Sequence, residues 1–262
     1  MAKPKSREKT TSPLLLHLTG TPGSGKSTFA RLLFETLIHT SILAVDPSRE
    51  GFLALSYGMP TSTTLADMLN RFAERLEKTG VPILSGESVD WVFNDLPVAI
   101  GSRADTDVLS LGVFPKPLSL DVQQTVRYGL PRLFSHYELV VWDGPMGAPE
   151  PVFSFMDDET LMPQRAVWIV TPDESPAVLA QQFEAMRRTL RSTIYVVYSK
   201  AEASAPWPEA LMEPMRAGQL RFIGKLPPVD KDHVGLSALN QLACECLYKL
   251  DLPFELQDRL QP

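Results

Sequence analysis

The chain has 262 residues, of which 44% are hydrophobic and 21% charged, an ordinary balance for a water-soluble globular protein. Its net charge of −6 at pH 7 argues against a nucleic-acid-binding surface. No apolar run approaches the roughly 18 residues of a membrane span, and residues 1–9 lack the apolar core of a secretory signal. The two cysteines, Cys244 and Cys246, are too close in sequence for a stabilising disulfide, which favours a reducing, cytoplasmic compartment.

The first predicted elements surround a glycine-rich loop. Residues 14–19 form an apolar run typical of a buried strand, and apolar residues at helical spacing follow over 29–38. Between these elements, residues 20–27 read GTPGSGKS and match the pattern G-x-x-x-x-G-K-[ST] at all four fixed positions. A strand, a glycine-rich loop and a helix in this order predict a phosphate-binding loop (P-loop). A chance glycine turn is the alternative.

The residue types of the P-loop suit the triphosphate of a nucleotide. Glycines leave space for backbone N–H groups to converge on phosphate and adopt backbone angles closed to other residues, and the start of the following helix adds the positive end of its dipole. Lys26 is expected to reach the β- and γ-phosphates, and the Ser27 hydroxyl to bind Mg²⁺. The predicted nucleotide contacts in this segment are Gly20, Gly23, Ser24, Gly25, Lys26, Ser27 and Thr28.

Strands and helices alternate along the rest of the chain. Predicted strands cover 41–46, 97–101, 108–113, 138–143, 166–170, 194–198 and 221–226. Predicted helices cover 63–79, 118–134, 175–190, 208–216 and 236–250. Thr63 or Thr64 is the expected cap of the first of these helices, and Pro131 marks a candidate break in the second. This alternation predicts an α/β fold, with a mostly parallel sheet, helices on both faces and ligands beyond the carboxyl ends of the strands.

Two predicted strands end in a carboxylate. Asp143 is followed by Gly147 in a D-x-x-x-G pattern, so Asp143 is a candidate for holding Mg²⁺ through water, and the Gly147 N–H for sensing the γ-phosphate. Asp46 ends the strand after the P-loop helix, where a carboxylate can orient the attacking water. For either aspartate the alternative is a capping role at a loop or helix start.

These features predict the organisation of the chain. Residues 13–262 are expected to form a single P-loop NTPase domain. Residues 1–12 are rich in lysine and lack apolar periodicity, which predicts a disordered basic tail.

Several short segments resemble one group of P-loop ATPases, the MinD, ParA and nitrogenase iron proteins. Beyond the P-loop, the resemblance is carried by residues 43–46 (LAVD), 64–67 (TLAD), 137–143 (YELVVWD) with Gly147, 167–172 (VWIVTP) and 224–227 (GKLP). Within that group, the chain is most similar to the accessory ATPases for nickel insertion into carbon monoxide dehydrogenase.

The resemblance implies a slow ATPase that acts as a switch on a protein partner, with ATP and Mg²⁺ as cofactors. It also implies a homodimer that forms with nucleotide, and a partner such as a metalloenzyme, a positioning system or a secretion apparatus. Nucleobase contacts are expected at the ends of the late strands, at Ser199, Lys200 and Pro227.

Two departures from the group limit what the resemblance implies. Its members usually carry a second lysine next to the first P-loop glycine, which reaches across the dimer, whereas this chain has Thr21 there. The nickel-insertion members carry a Cys-x-Cys segment that corresponds to residues 114–120, where this chain has no cysteine. Cys244 and Cys246 do not replace it, since residues two apart on a helix point in different directions.

Alternatives to an ATPase switch stay open at this stage. Residues 198–202 (YSKAE) loosely resemble the N-K-x-D pattern of GTPases, although the overall resemblance favours ATP. The P-loop alone is also similar to that of small-molecule kinases, for which the basic cluster Arg187, Arg188 and Arg191 would have to serve as a lid. Thr21 favours a third class, a binding module that holds nucleotide with little hydrolysis.

Overall fold

The computed structural model describes residues 13–46, 53, 55, 58, 63–79, 100–103, 105–112, 119–144, 165–190, 193–228 and 236–260. The predicted tail at 1–12 lies outside these residues.

Within the described residues, eight strands form one sheet in the order β3-β4-β2-β5-β1-β6-β7-β8. The strands are β1 (Leu14–Thr19), β2 (Ile42–Asp46), β3 (Ile100–Arg103), β4 (Thr106–Ser110), β5 (Leu139–Asp143), β6 (Arg165–Val170), β7 (Thr193–Ser199) and β8 (Leu220–Leu226). All neighbouring pairs are parallel except β3 and β4, which are antiparallel. The predicted mostly parallel sheet is therefore confirmed.

The helices follow the strands in the predicted alternation. They are α1 (Lys26–Thr36), α2 (Leu65–Thr79), α3 (Leu120–Phe134), α4 (Pro176–Thr189), α5 (Met212–Arg216), α6 (Leu236–Tyr248) and α7 (Phe254–Gln257), with a 3₁₀ turn at Glu209–Leu211. The sequence patterns place most of these elements to within a few residues. The short α7 was not predicted, because four residues carry too little periodicity to be recognised.

Helices cover both faces of the sheet because the buried strands present apolar side chains in two directions. In β1, Leu16 and Leu18 join the layer formed with α1 and α6, whereas Leu15 joins the layer formed with α2 and α3. Trp168 of β6 packs with α4 on the same face as Leu15. This arrangement confirms the α/β class and leaves the carboxyl ends of the parallel strands as one edge on which a site can be built.

The start of α2 shows why its sequence begins a helix there. The Thr64 hydroxyl accepts a hydrogen bond from the Asp67 backbone N–H at 3.2 Å, and the Asp67 carboxylate accepts one from the Thr64 N–H at 3.0 Å. This reciprocal pair satisfies two backbone donors that a helix start leaves open. Of the two predicted caps, Thr64 is the one that forms these bonds.

The candidate break at Pro131 was wrong, since α3 continues through it to Phe134. Proline removes one backbone hydrogen bond and crowds the preceding turn. Pro131 lies in the last turn, so these effects fall on the turn before it, which nevertheless stays helical. The side chains of Val126, Leu130 and Phe134 are buried in the apolar layer between α3 and the sheet, and this packing stabilises the helix on both sides of the proline.

His17 is an unusual residue for the middle of a buried strand. It lies in β1 between Trp142 of β5 and Ala166 of β6, and its side chain is fully buried. Neither ring nitrogen has a hydrogen-bond partner among the described residues. Burial lowers the pKa of His17 from 6.5 to about 4, so the folded protein holds the neutral imidazole at pH 7.

The buried imidazole should make stability depend on pH. Below pH 6.5 the His17 imidazole is protonated in the unfolded chain, whereas in the folded chain it stays neutral until the pH approaches 4. The free energy of unfolding should therefore fall as the pH is lowered across this range. The fall attributable to His17 should reach about 3 kcal/mol, at about 1.4 kcal/mol for each pKa unit. We expect His17→Leu to lose this part of the pH dependence in chemical denaturation at pH 7 and pH 5. The exposed His136→Leu should behave as the wild type, and equal pH dependence in all three proteins would contradict the assignment.

Candidate functional site

The P-loop lies between the end of β1 and the start of α1, packed against the ends of two further strands. Gly20 has a φ of 148°, and a Cβ atom there would lie 2.4 Å from the Ile169 carbonyl oxygen of β6. Gly25 has a φ of 101°, and a Cβ atom there would lie 3.0 Å from the Ser199 hydroxyl of β7. Both positions therefore require glycine, one for the close approach of two backbones and the other for its left-handed conformation.

The remaining predicted loop residues complete the turn into α1. Ser24 donates its backbone N–H to the Thr21 carbonyl at 3.1 Å, and its side chain is buried beneath the loop. Gly23 and Thr28 are exposed, at the tip of the loop and in the first turn of the helix. The structure thus brings all seven predicted P-loop residues into one compact segment at the carboxyl edge of the sheet.

Lys26 folds back over the loop from the first position of α1. Its Nζ donates hydrogen bonds to the carbonyl oxygens of Gly20 at 2.9 Å and Thr21 at 3.1 Å. Burial lowers the pKa of Lys26, and the nearby carboxylates of Asp143 and Glu174 raise it in part. The ammonium is consequently held above the loop that is expected to receive phosphate.

Ser27 and Asp143 form the second part of the site. The Ser27 hydroxyl donates to Oδ2 of Asp143 at 2.9 Å, which joins the start of α1 to the end of β5. The other oxygen, Oδ1, is buried without a hydrogen-bond partner among the described residues. Burial raises the pKa of Asp143 to about 6, against the lowering effects of Ser27 and Lys26. A hydroxyl beside an unsatisfied buried carboxylate oxygen is a donor set that suits Mg²⁺.

Asp46 lies close to this pair, at the end of β2. It is buried, and its Oδ2 accepts a hydrogen bond from the Leu53 N–H at 2.8 Å. It is near enough to Asp143 to raise the pKa of that carboxyl. The sheet order sets this proximity, because β2 and β5 are neighbours and both end at the same edge. Gly147, predicted to face the γ-phosphate, lies outside the described residues.

The predicted nucleobase contacts lie on the other side of the P-loop. Ser199 ends β7 beside Gly25, and Lys200 turns the chain in a left-handed conformation with a φ of 57°. The next residue, Ala201, donates its N–H to the Leu226 carbonyl at 3.1 Å, immediately before Pro227. The structure therefore brings Ser199, Lys200 and Pro227 to adjacent strand ends.

Sequence reasoning missed Glu174, in the turn between β6 and α4. Its Oε2 accepts a hydrogen bond from the Thr171 N–H at 2.7 Å, while Oε1 is buried without a partner among the described residues. Its charge acts on Lys26, as that of Asp143 does. A carboxylate shortly after a buried strand is the signal that singled out Asp46 and Asp143, and it was present here too.

The cysteines form no part of this site. Cys244 and Cys246 are buried in α6, and burial raises the pKa of Cys246 to about 12. Among the residues that the structure describes, no group of three or more His, Cys, Asp or Glu side chains is placed to hold a metal ion. A nucleotide-bound Mg²⁺ does not need such a group, since phosphate and water supply most of its ligands.

Comparison with known proteins gives structural matches only. No protein-family model and no curated protein matches the chain. The cell division ATPase MinD of Pyrococcus furiosus is 16% identical over 92% of this chain and 100% of its own, with a TM-score of 0.57. A plasmid partition protein of Borrelia burgdorferi bound to AMPPNP is 15% identical over 91% of this chain and 98% of its own, with a TM-score of 0.57. A McdA–ATP complex from Cyanothece is 15% identical over 96% of this chain and 98% of its own, with a TM-score of 0.53.

The chain has the fold of the MinD and ParA ATPases.

The MinD/ParA fold is matched along almost the whole length of the chain, well beyond the P-loop and its neighbouring strands. The structural superpositions establish this common architecture at sequence identities of 14–16%. None of the described helices combines the length and hydrophobicity that crossing a membrane requires.

The unsatisfied carboxylate of Asp143 should reduce the stability of the ligand-free protein. Its raised pKa means that the charged form is disfavoured in the folded state, and this cost is present above about pH 6 and disappears as the pH falls towards 4. We expect Asp143→Asn to raise the free energy of unfolding at pH 7 by about 1–3 kcal/mol, since the amide oxygen can still accept from Ser27. Denaturation at pH 3.5 is the control, because the carboxyl is then mostly neutral in both the folded and the unfolded protein and the difference should nearly vanish. A destabilised variant at pH 7 would contradict this account.

Proposed function

We propose that the protein is an ATP-binding and ATP-hydrolysing switch of the MinD/ParA-like class, which acts in the cytoplasm on a protein partner. The observation that carries the proposal is the Ser27–Asp143 hydrogen bond beside Lys26, at the carboxyl edge of a sheet with this fold. The bond joins the loop expected to hold phosphate to the strand end expected to hold its metal ion.

The P-loop supplies the phosphate contacts. The Lys26 ammonium has three N–H donors, of which two bond the carbonyls of Gly20 and Thr21, so the third can reach a β- or γ-phosphate oxygen as a charged acceptor. The backbone N–H groups at the start of α1 face the same anion and add the positive end of the helix dipole.

The metal contacts follow from the same geometry. Ser27 and Asp143 would hold Mg²⁺, which when bound neutralises charge on the β- and γ-phosphates. Binding the cation would also satisfy the buried Oδ1 of Asp143. The cost of burying that carboxylate would thus be offset when Mg²⁺ and nucleotide bind together.

Asp46 is our candidate for orienting the attacking water. Its hydrogen bond to the Leu53 N–H fixes the carboxylate, and its proximity to Asp143, the proposed metal ligand, supports a role on the γ-phosphate side of the P-loop. Its burial keeps bulk water from competing for this carboxylate.

The direction of the nucleotide is set by where the metal ligands lie. Ser27 and Asp143 mark the γ-phosphate end towards β5 and β2, so the ribose and base extend the opposite way, over the ends of β7 and β8. This supports Ser199, Lys200 and Pro227 as base contacts.

The finer parts of the proposal concern partner and assembly. We propose slow turnover, a homodimer that forms with ATP, and a partner in metalloenzyme maturation or in positioning. Thr21 in place of the second P-loop lysine favours one variant of this function, in which the protein binds nucleotide and hydrolyses it little. The small-molecule kinase considered above would need Arg187 and Arg188 to close over the nucleotide as a lid. Arg187 instead pairs with Glu184 on the exposed side of α4, which does not favour that role.

Replacing Lys26 tests nucleotide binding. Lys26→Ala should lower the affinity for Mg²⁺–ATP by about 10- to 100-fold, the effect of losing charge-assisted hydrogen bonds to phosphate. Titration calorimetry measures the affinity, and Lys249→Ala, at an exposed lysine just after α6, serves as the matched control. Unchanged affinity and turnover in Lys26→Ala would reject the P-loop assignment.

Replacing Asp46 tests hydrolysis and the switch. Asp46→Asn should keep ATP binding and slow turnover by about 10²–10⁴-fold, because the group that orients the water is lost. The trapped ATP state should then dimerise with ATP but not with ADP, measured by light scattering beside steady-state turnover. The exposed Asp258→Asn is the control. Full turnover would remove Asp46 from the mechanism, and a monomer that holds ATP would reject the dimer.

A further inference from the structure

The loop that follows β7 is attached to β8 by side-chain contacts. None of the residues proposed above to bind nucleotide makes these contacts. We call residues 200–207 the base-side loop, because it continues from Ser199 and Lys200. A backbone hydrogen bond joins the start of this loop to the sheet, with the Ala201 N–H donating to the Leu226 carbonyl. The rest of the loop has no helix or strand of its own to hold it in place.

Lys225 provides the main additional attachment. Its Nζ donates hydrogen bonds to the carbonyl oxygens of Ala203, at 2.9 Å, and Ala205. Two backbone acceptors in the base-side loop are therefore satisfied by one side chain of β8. Because Lys225 is two residues before Pro227, the same short segment of β8 carries both the attachment and a proposed base contact.

An aromatic stack reinforces this attachment. Trp207 ends the base-side loop and stacks on Phe222 of β8 with ring centroids 4.1 Å apart, and on Tyr198 of β7 at 5.9 Å. The Lys225 ammonium lies 5.2 Å from the centroid of the Trp207 ring, within the range of a cation–π contact. Since Trp207 already stacks with two aromatic rings of the protein, its contacts indicate a role in holding the loop rather than in stacking on a nucleobase.

We propose that Lys225 is a positioning residue that holds the base-side loop against β8 and so shapes the subsite for the base half of the nucleotide. The inference rests on the proposed function, because it uses the direction of the nucleotide derived there. Lys225 connects the two sides of the subsite, with Lys200 on the loop and Pro227 on β8. Without it, the loop would have to be ordered when the nucleotide binds, which lowers the affinity for the base without affecting the phosphates.

The experiment separates the base from the phosphates by using two ligands, Mg²⁺–ATP and Mg²⁺–tripolyphosphate. In Lys225→Met, the affinity for ATP should fall by about tenfold, comparable to the loss of one hydrogen bond. The affinity for tripolyphosphate should stay within about twofold of the wild type, and kcat at saturating ATP should not change, so that the effect appears in KM. Lys225→Arg should restore ATP affinity, because its guanidinium can donate to both carbonyls and keep the cation–π contact with Trp207. Lys249→Met is the matched control for loss of a lysine charge.

Hydrogen exchange of the base-side loop provides a second readout on the same proteins. The backbone amides of residues 200–207 should exchange faster in Lys225→Met, and Trp207→Leu should reproduce both the faster exchange and the selective loss of ATP affinity.

The outcomes distinguish this inference from the function on which it rests. Equal losses for ATP and tripolyphosphate, or unchanged ATP affinity despite faster exchange, would overturn the role of Lys225 and leave the P-loop proposal standing. If the wild-type protein bound neither ligand, the proposed function and the role of Lys225 would both be overturned.

Discussion

The close packing of the P-loop backbone against the ends of β6 and β7 is the constraint on which the site depends. At Gly20 there is no space for a side chain beside the Ile169 carbonyl, and at Gly25 the chain takes a conformation that other residues rarely adopt. These contacts fix where α1 begins, and hence where Lys26 and Ser27 point. A shift of the loop by one residue would break the Ser27–Asp143 bond. The loop is thus positioned by the sheet before any ligand arrives.

Fixing the loop in this way concentrates charge in a small buried volume. Lys26 faces two carboxylates, Asp143 and Glu174, each of which has an oxygen without a partner among the described residues. Such an arrangement is costly in a folded protein unless a ligand completes it. The cost favours binding of a cation with an anion, since either one alone would leave part of the charge unbalanced.

Sequence patterns were sufficient to predict the α/β fold and the residues around the P-loop. The P-loop spacing and the strand-end aspartates identified residues that the fold does bring together, because parallel strands end at one edge. The attachment by Lys225 could not be predicted in this way. It depends on the Nζ reaching the carbonyls of Ala203 and Ala205, and carbonyls are present at every residue. The course of α3 through Pro131 likewise depends on packing, which a local proline rule does not include.

The sheet order also constrains how the chain assembles during synthesis. Among the described strands, β1 comes first in the chain, yet it lies in the middle of the sheet, where Leu14 pairs with Leu139 and Leu16 with Arg165. On a ribosome, β1 would emerge long before either neighbour exists and would expose apolar side chains on both faces. Pairing of β1 with both neighbours must therefore wait until β5 (Leu139–Asp143) and β6 (Arg165–Val170) have left the exit tunnel. During that interval the apolar faces of β1 can associate with other apolar segments, which is the condition that chaperones counter.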